Sequence, residues 1–236
     1  KYLKKKIEID DIPLSIDMSD EKYFGDTFAD YSFGQAIKDK NLSDYKVVVV
    51  GVSDEELKND ISNRELVKIK SLISPSKYIK HDMEYISILS AIHKSIKKYN
   101  IRRMISFHSR QKWARDFSGY IKDYNDVIKG ELELDTNHIQ GDMPTRLRLE
   151  KLAILKNYQD YDCSIISNAR CLTEGINVPN LDAVAFVDPK QSAVDIVQAV
   201  GRAIRKADSK KFGIIFLPLF INLGDFKKYK KNKIDL

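Results

Sequence analysis

A chain of 236 residues, 43% of them hydrophobic, can bury one substantial core, or one core with a small appendage. Forty Lys and Arg against 34 Asp and Glu leave a net charge of +6, which suits a polyanionic partner without identifying it. Ten glycines and six prolines are too few for a low-complexity chain or a turn-rich β protein. The two cysteines, Cys163 and Cys171, form no CxxC, so neither a disulfide framework nor a zinc site is expected, and the default setting is reducing and cytoplasmic. His81, His93, His108 and His138 have no ligand spacing, and no metal site is expected from them. No apolar run approaches ~20 residues, so no membrane span is expected. KYLKKK has no apolar stretch after it and is not a signal peptide; a start at Lys1 rather than Met suggests a fragment.

Residues 1–30 are polar and without period, and read as a linker or arm. A short helix follows, with Ser32 as N-cap and Phe33, Ala36 and Ile37 on one side, then a turn at Asn41–Asp44. The run Lys46–Val52 (KVVVVGV) predicts a strand covered on both faces. Residues 54–82 are a charged excursion, irregular or helical. Met83–Tyr99 places Ile86, Leu89, Ile92, His93 and Ile96 at helical spacing, with lysines opposite. Arg102–Phe107 is a strand leading through His108-Ser109-Arg110 into a helix with Trp113, Phe117 and Tyr120.

Leu132–Ile139 is a weaker strand, and Gly141-Asp142-Met143-Pro144 breaks the chain before a helix from Thr145 to about Tyr158. Strands at Cys163–Ser167, Leu181–Val187 and Lys211–Leu217 follow, with an amphipathic helix from Ala193 to about Lys206 between the last two. The lysine-rich end, residues 226–236, reads as a solvated tail. Short apolar strands alternating with helices predict an α/β fold: a three-layer, open, mainly parallel sheet with helices on both faces, over residues 31–225. Ligands of such sheets gather beyond the strands' carboxyl ends, where Ser109–Arg110, Ser167–Arg170 and Pro189–Ser192 are expected.

On the last helix, Gln198, Arg202 and Arg205 fall within about 60° of one another at ~100° per residue. Ile196, Val200, Ala203 and Ile204 point the opposite way. Gly201 costs ~1 kcal/mol mid-helix relative to Ala and is expected to admit a close neighbour or ligand. Two fork-shaped donors suit a phosphoryl group whose charge grows during transfer; the alternative is a solvated basic face. In Ser167–Pro179, a strand ending in Ser-Asn before a turn of helix offers backbone N–H groups and short polar side chains to phosphate. Ordinary strand-to-helix capping would look the same.

Together, SNARCLTEGINVP, VDPKQS and DIVQAVGRAIR resemble motifs V and VI of superfamily 2 helicases, SFHSR resembles motif IV, and IQGDMPTRLR the segment between motifs IV and V. The likeness covers about residues 28–220 and is nearest to the helicase motors of restriction enzymes. It implies the second RecA-like lobe of an ATP-dependent DNA helicase or translocase. Arg205 would be the arginine finger, Arg202 its assistant, and Gln198 a partner near the γ-phosphate. Gly175 and Asn177 would approach the nucleotide; Asn177 stands where aspartate is usual and lacks its charge. Ser109, Arg110, Gly141, Asn168, Arg170 and Thr173 would hold the nucleic-acid backbone, with Arg148 either bracing the lobe or touching substrate.

Neither a GxxxxGK[ST] phosphate loop nor a DEAD-like carboxylate pair occurs in the sequence. ATP and Mg2+ are therefore expected to be held mainly by a first RecA-like lobe, to which residues 1–30 would be the strap, and this chain alone is expected to be inactive. The partners implied are DNA, with RNA open, and that first lobe. Two rivals stand beside this reading. One is a nucleic-acid-binding lobe without ATPase activity, and the other a self-contained phosphate-binding α/β enzyme.

Overall fold

The computed structural model describes residues 21–50, 61–73, 82–155, 160–169, 181–188, 193–206, 210 and 212–218. Six strands form one sheet: β1 (Asp44–Val50), β2 (Arg103–Phe107), β3 (Leu134–Ile139), β4 (Cys163–Asn168), β5 (Ala183–Phe186) and β6 (Phe212–Pro218). Their order is β1-β6-β5-β2-β4-β3, and every neighbouring pair is parallel. The helices are α1 (Glu21–Phe24), α2 (Phe33–Lys38), α3 (Asn63–Ile73), α4 (Asp82–Tyr99), α5 (Gln111–Val127), α6 (Thr145–Ala153) and α7 (Ala193–Ala203).

Parallel neighbours need crossovers, and helical crossovers cover the faces of the sheet. Alternation along each strand then divides the apolar residues between two cores. One takes Met104, Ile165, Ala183 and Phe216 against Ile69 of α3, Leu89 of α4, and Phe117 and Ile121 of α5. The other takes Ile105, Phe107, Ile166, Val184 and Ile215 against Leu152 of α6 and Ala199 and Val200 of α7, with Phe33 of α2 packed on it. Phe107 and Phe117 are each 0% exposed, and burying such a ring contributes ~1.5–3 kcal/mol. The expected three layers are present, and the sheet is parallel throughout.

The amino ends of the central strands are locked by one buried ion pair. Asp182 Oδ2 accepts from the backbone N–H groups of Arg102 (3.1 Å) and Arg103 (2.9 Å), and from Arg103 Nε (3.2 Å). Its Oδ1 accepts from Arg103 Nη2 at 3.1 Å. A guanidinium this buried needs such a partner, and here the fork geometry is met.

Three expectations are corrected. β1 is an edge strand paired only with β6 among the described residues, and Tyr45, Val47 and Val49 are 41%, 46% and 40% exposed. It is therefore covered on one face, the side of Val48, which packs against the α4 core. α6 stops at Ala153 rather than near Tyr158, because Leu155 N donates back to Leu152 O (3.2 Å) and the tightened turn drives Leu155 to 0% exposure. α7 stops at Ala203, with consequences taken up below. The short helix at Phe33 agrees with expectation: Ser32 Oγ accepts from Gln35 N at 3.2 Å. Residues 21–30 are exposed and mostly irregular, with Phe28 102% exposed. The tail at 226–236 lies outside the described residues.

Candidate functional site

Four strand ends converge at the carboxyl end of the sheet, those of β5, β2, β4 and β3 in spatial order. Ser109 and Arg110 follow β2, Asn168 closes β4, Gly141 follows β3 by two residues, and Asp188 follows β5 by two. Four of the expected nucleic-acid residues, Ser109, Arg110, Gly141 and Asn168, are thus brought to one end of the molecule.

Their side chains differ in what they can reach. Arg110 is exposed, in extended backbone (φ −131°, ψ 144°) at the start of α5, and its guanidinium lies 5.0 Å from the centre of the Trp113 ring. Gly141 is exposed in a turn closed by Met143 N donating to Gln140 O (3.2 Å). Ser109 is half-buried, and both of its donors are engaged: N–H and Oγ–H donate to Asp188 Oδ2 at 2.9 and 3.2 Å. Asn168 is 0% exposed and donates through Nδ2 to Ser106 O at 3.1 Å, bracing β4 to β2.

Beneath these residues runs a buried polar line. Ser106 Oγ donates to Ser167 Oγ (2.9 Å), and His108 Nε2 shares a hydrogen bond with Ser106 Oγ (3.0 Å). Burial pushes the His108 imidazole down to about 3, so the ring is neutral at ordinary pH. Its Nδ1, 3.8 Å from Asp188 Oδ2, is too far for a hydrogen bond, and between a neutral ring and a carboxylate this is not an ion pair. Burial raises Asp188 above the usual carboxylate range, against the pull of the two Ser109 hydrogen bonds and of the Arg110 charge. Sequence reading assigned no role of their own to Asp188, Ser106 or His108, and Ser167, read as part of a phosphate cradle, is 0% exposed. A carboxylate closing a strand just before Pro189 is the one signal that singles out Asp188, and its partner lies 79 residues away.

The arginines of the last helix lie at the opposite end. Leu42 and Arg205 form an isolated antiparallel bridge, Ser43 N donates to Ile204 O (2.8 Å), and Asp44 then begins β1. Half-buried Lys210, lowered by desolvation to about 8, donates to both Ala203 O and Leu181 O. A Cβ on Gly213 would come within 2.5 Å of Ala203 O. The end of α7 is thus clamped against the amino ends of β5, β6 and β1, not beside Ser109.

This corrects the reading of one shared helical face: Arg205 has left the helix that carries Gln198 and Arg202, and both arginines lie away from the carboxyl edge. Arg202 is buried, at 8% exposure, and its guanidinium is lowered by desolvation and then by the Arg205 charge; Arg205 is exposed and Gln198 half-buried. A Cβ added at Gly201 would meet Phe33 Cζ at 3.8 Å, an ordinary contact. Arg148 donates to Thr145 Oγ1 of its own helix at 3.2 Å. Arg170, Thr173, Gly175 and Asn177 lie outside the described residues. Among the described residues no group of three His, Cys, Asp or Glu could hold a metal ion, and no helix is long and apolar enough to cross a membrane.

Comparison with known proteins gives the arrangement a context. Residues 85–207 match the helicase conserved C-terminal domain family. The chain is 27% identical over 222 residues to "Probable helicase A859L" of African swine fever virus, covering 90% of this chain and 22% of that protein. It is 27% identical over 153 residues to UvrABC system protein B of Enterococcus faecalis, covering 62% of this chain and 21% of that one. Among solved structures, the ATP-dependent type ISP restriction-modification enzyme LlaBIII bound to DNA superposes with a TM-score of 0.70 at 31% identity, over 88% of this chain and 14% of that one. The chain thus spans about a fifth of the length of these curated relatives.

Proposed function

The chain belongs to the helicase conserved C-terminal domain family, as a second RecA-like lobe of superfamily 2 type related to restriction-enzyme helicases, and on that footing we propose that it works as the second motor lobe of an ATP-dependent DNA translocase or helicase. One observation carries the proposal: exposed Arg205 and exposed Arg110 stand at opposite ends of one parallel sheet. Strands of four to seven residues separate those ends by roughly 13–23 Å at ~3.3 Å per residue. A lobe with one cationic group at each end can meet a triphosphate with one and a nucleic-acid backbone with the other.

The residues fit this division. Arg205 is the exposed fork, aimed at the γ-phosphate of ATP held on a first lobe of the same polypeptide. Arg202, buried three residues back, adds positive potential, and Gln198 assists from the helix. ATP and Mg2+ would be held mainly by the first lobe, since the sequence carries neither a GxxxxGK[ST] loop nor a DEAD-like carboxylate pair. At the other end Arg110 and Gly141 grip phosphates; Arg170 and Thr173 as further phosphate contacts, and Gly175 and Asn177 as nucleotide contacts, rest on the family resemblance alone, since all four lie outside the described residues. Closure of two lobes on ATP, hydrolysis and reopening would shift one set of grips against the other along a strand. LlaBIII is a DNA-bound enzyme, which favours DNA over RNA.

The test is ATP hydrolysis by the full-length polypeptide with and without single-stranded DNA or RNA. Stimulation by DNA, with none from the 236-residue chain alone, is the expected result. Nucleic-acid binding without hydrolysis would leave the second reading, a non-catalytic binding lobe, which the uncharged Asn177 favours.

A further inference from the structure

We propose that Asp188 is a positioning residue for the nucleic-acid grip: it fixes the Ser109–Arg110 corner so that Arg110, not Ser109, meets the phosphate. This deepens the proposed function and rests on it.

The geometry is specific. One carboxylate oxygen, Oδ2, takes both donors of Ser109, the N–H at 2.9 Å and the hydroxyl at 3.2 Å. A serine so engaged has no donor left for a phosphate, so its part is to be held. The Asp188 side chain is only 18% exposed and sits beneath the corner, where it anchors the loop rather than occupying the outer surface. His108, between the two, is fully buried and tied to Ser106. The corner is thus fastened to the ends of β5 and β2 at once, a cross-link between segments 79 residues apart.

What the fastening presents is Arg110. Its backbone is extended, its side chain is exposed, and its guanidinium lies over Trp113, one turn into α5. A fork restrained by a ring on one side and a hydrogen-bonded neighbour on the other loses little further freedom on meeting a phosphate. The same aspartate opens the segment that leads to α7, whose far end carries the buried Arg202.

Salt-dependent binding of a fluorescent single-stranded DNA by the full-length polypeptide tests this with Arg110→Ala, Asp188→Ala and the double variant. Each single substitution is expected to weaken binding about tenfold and to flatten the slope of log K against log salt by ~0.7. The double variant should bind no more weakly than Arg110→Ala, since Asp188 acts through Arg110. Multiplicative losses, or Asp188→Ala binding with unchanged affinity, overturn the proposal. Should Asp188→Ala fail to fold, Ser109→Ala removes one of the two hydrogen bonds and takes its place, with a loss of about threefold and the same non-additivity. No binding by the unmodified polypeptide would instead remove the proposed function, and this inference with it.

Discussion

Leu42 pairs with Arg205 across an antiparallel bridge, and that pairing draws Arg205 off the end of α7 and onto the start of β1. Arg202, three residues back, stays in the helix and is buried. Two arginines that share a face on an ideal helix thus have separate environments, one solvent-facing and one inside.

The separation makes their substitutions distinguishable. Arg205→Ala should lower nucleic-acid-stimulated ATP hydrolysis by about 10³-fold or more, the usual worth of an arginine finger, while leaving the melting temperature unchanged. Arg202→Ala should lower both. Unchanged turnover in Arg205→Ala would remove the finger assignment; steady-state hydrolysis and thermal denaturation check the pair.

Gly201→Ala should stabilise the fold by up to about 1 kcal/mol, from helix propensity, because the added Cβ meets only Phe33 Cζ at 3.8 Å. Gly213→Ala should do the reverse. There the Cβ would lie 2.5 Å from Ala203 O and 2.9 Å from Ala203 C, backbone atoms clamped by Lys210 that cannot move cheaply. Urea denaturation of the two variants reads the difference directly.

Asp182→Ala should cost about 3–5 kcal/mol, the usual penalty for stranding one half of a buried ion pair. It would remove the Asp182 carboxylate from the Arg103 guanidinium and this acceptor from the N–H groups of Arg102 and Arg103. The measurement is again chemical denaturation, with the double variant Arg103→Met, Asp182→Leu expected to recover part of the loss.

Acid should destabilise the protein through His108. Its folded pKa, about 3, lies below the unfolded value of 6.5, so the unfolded chain takes up the proton first. Stability from this group is complete above pH ~6.5 and falls away between there and pH ~3, by an amount on the order of 4 kcal/mol. Asp188 works in the opposite direction, since its raised pKa favours proton uptake by the folded state as pH falls. The comparison is therefore between wild type and His108→Gln: the acid limb of stability against pH should be shallower in the variant.

Strand and helix identities, their parallel arrangement and the two-sided core were legible because alternation and 3.6-residue periodicity are local properties of the sequence. Phe117, Ile86 and Leu89 announce their faces by spacing alone. The motif residues Ser109, Arg110, Gly141 and Asn168 were likewise placed at one end by the rule that loops after parallel strands share an edge. Three things needed the tertiary structure. Helix propensity through Ala203-Ile204-Arg205 loses to backbone pairing with Leu42 and Ser43, some 160 residues away, which no local pattern encodes. β1 reads as a central strand by composition but lies at an edge, because strand order is decided by crossovers and not by apolarity. The bond from Ser109 to Asp188 joins two short polar loops whose proximity exists only once β2 and β5 lie side by side.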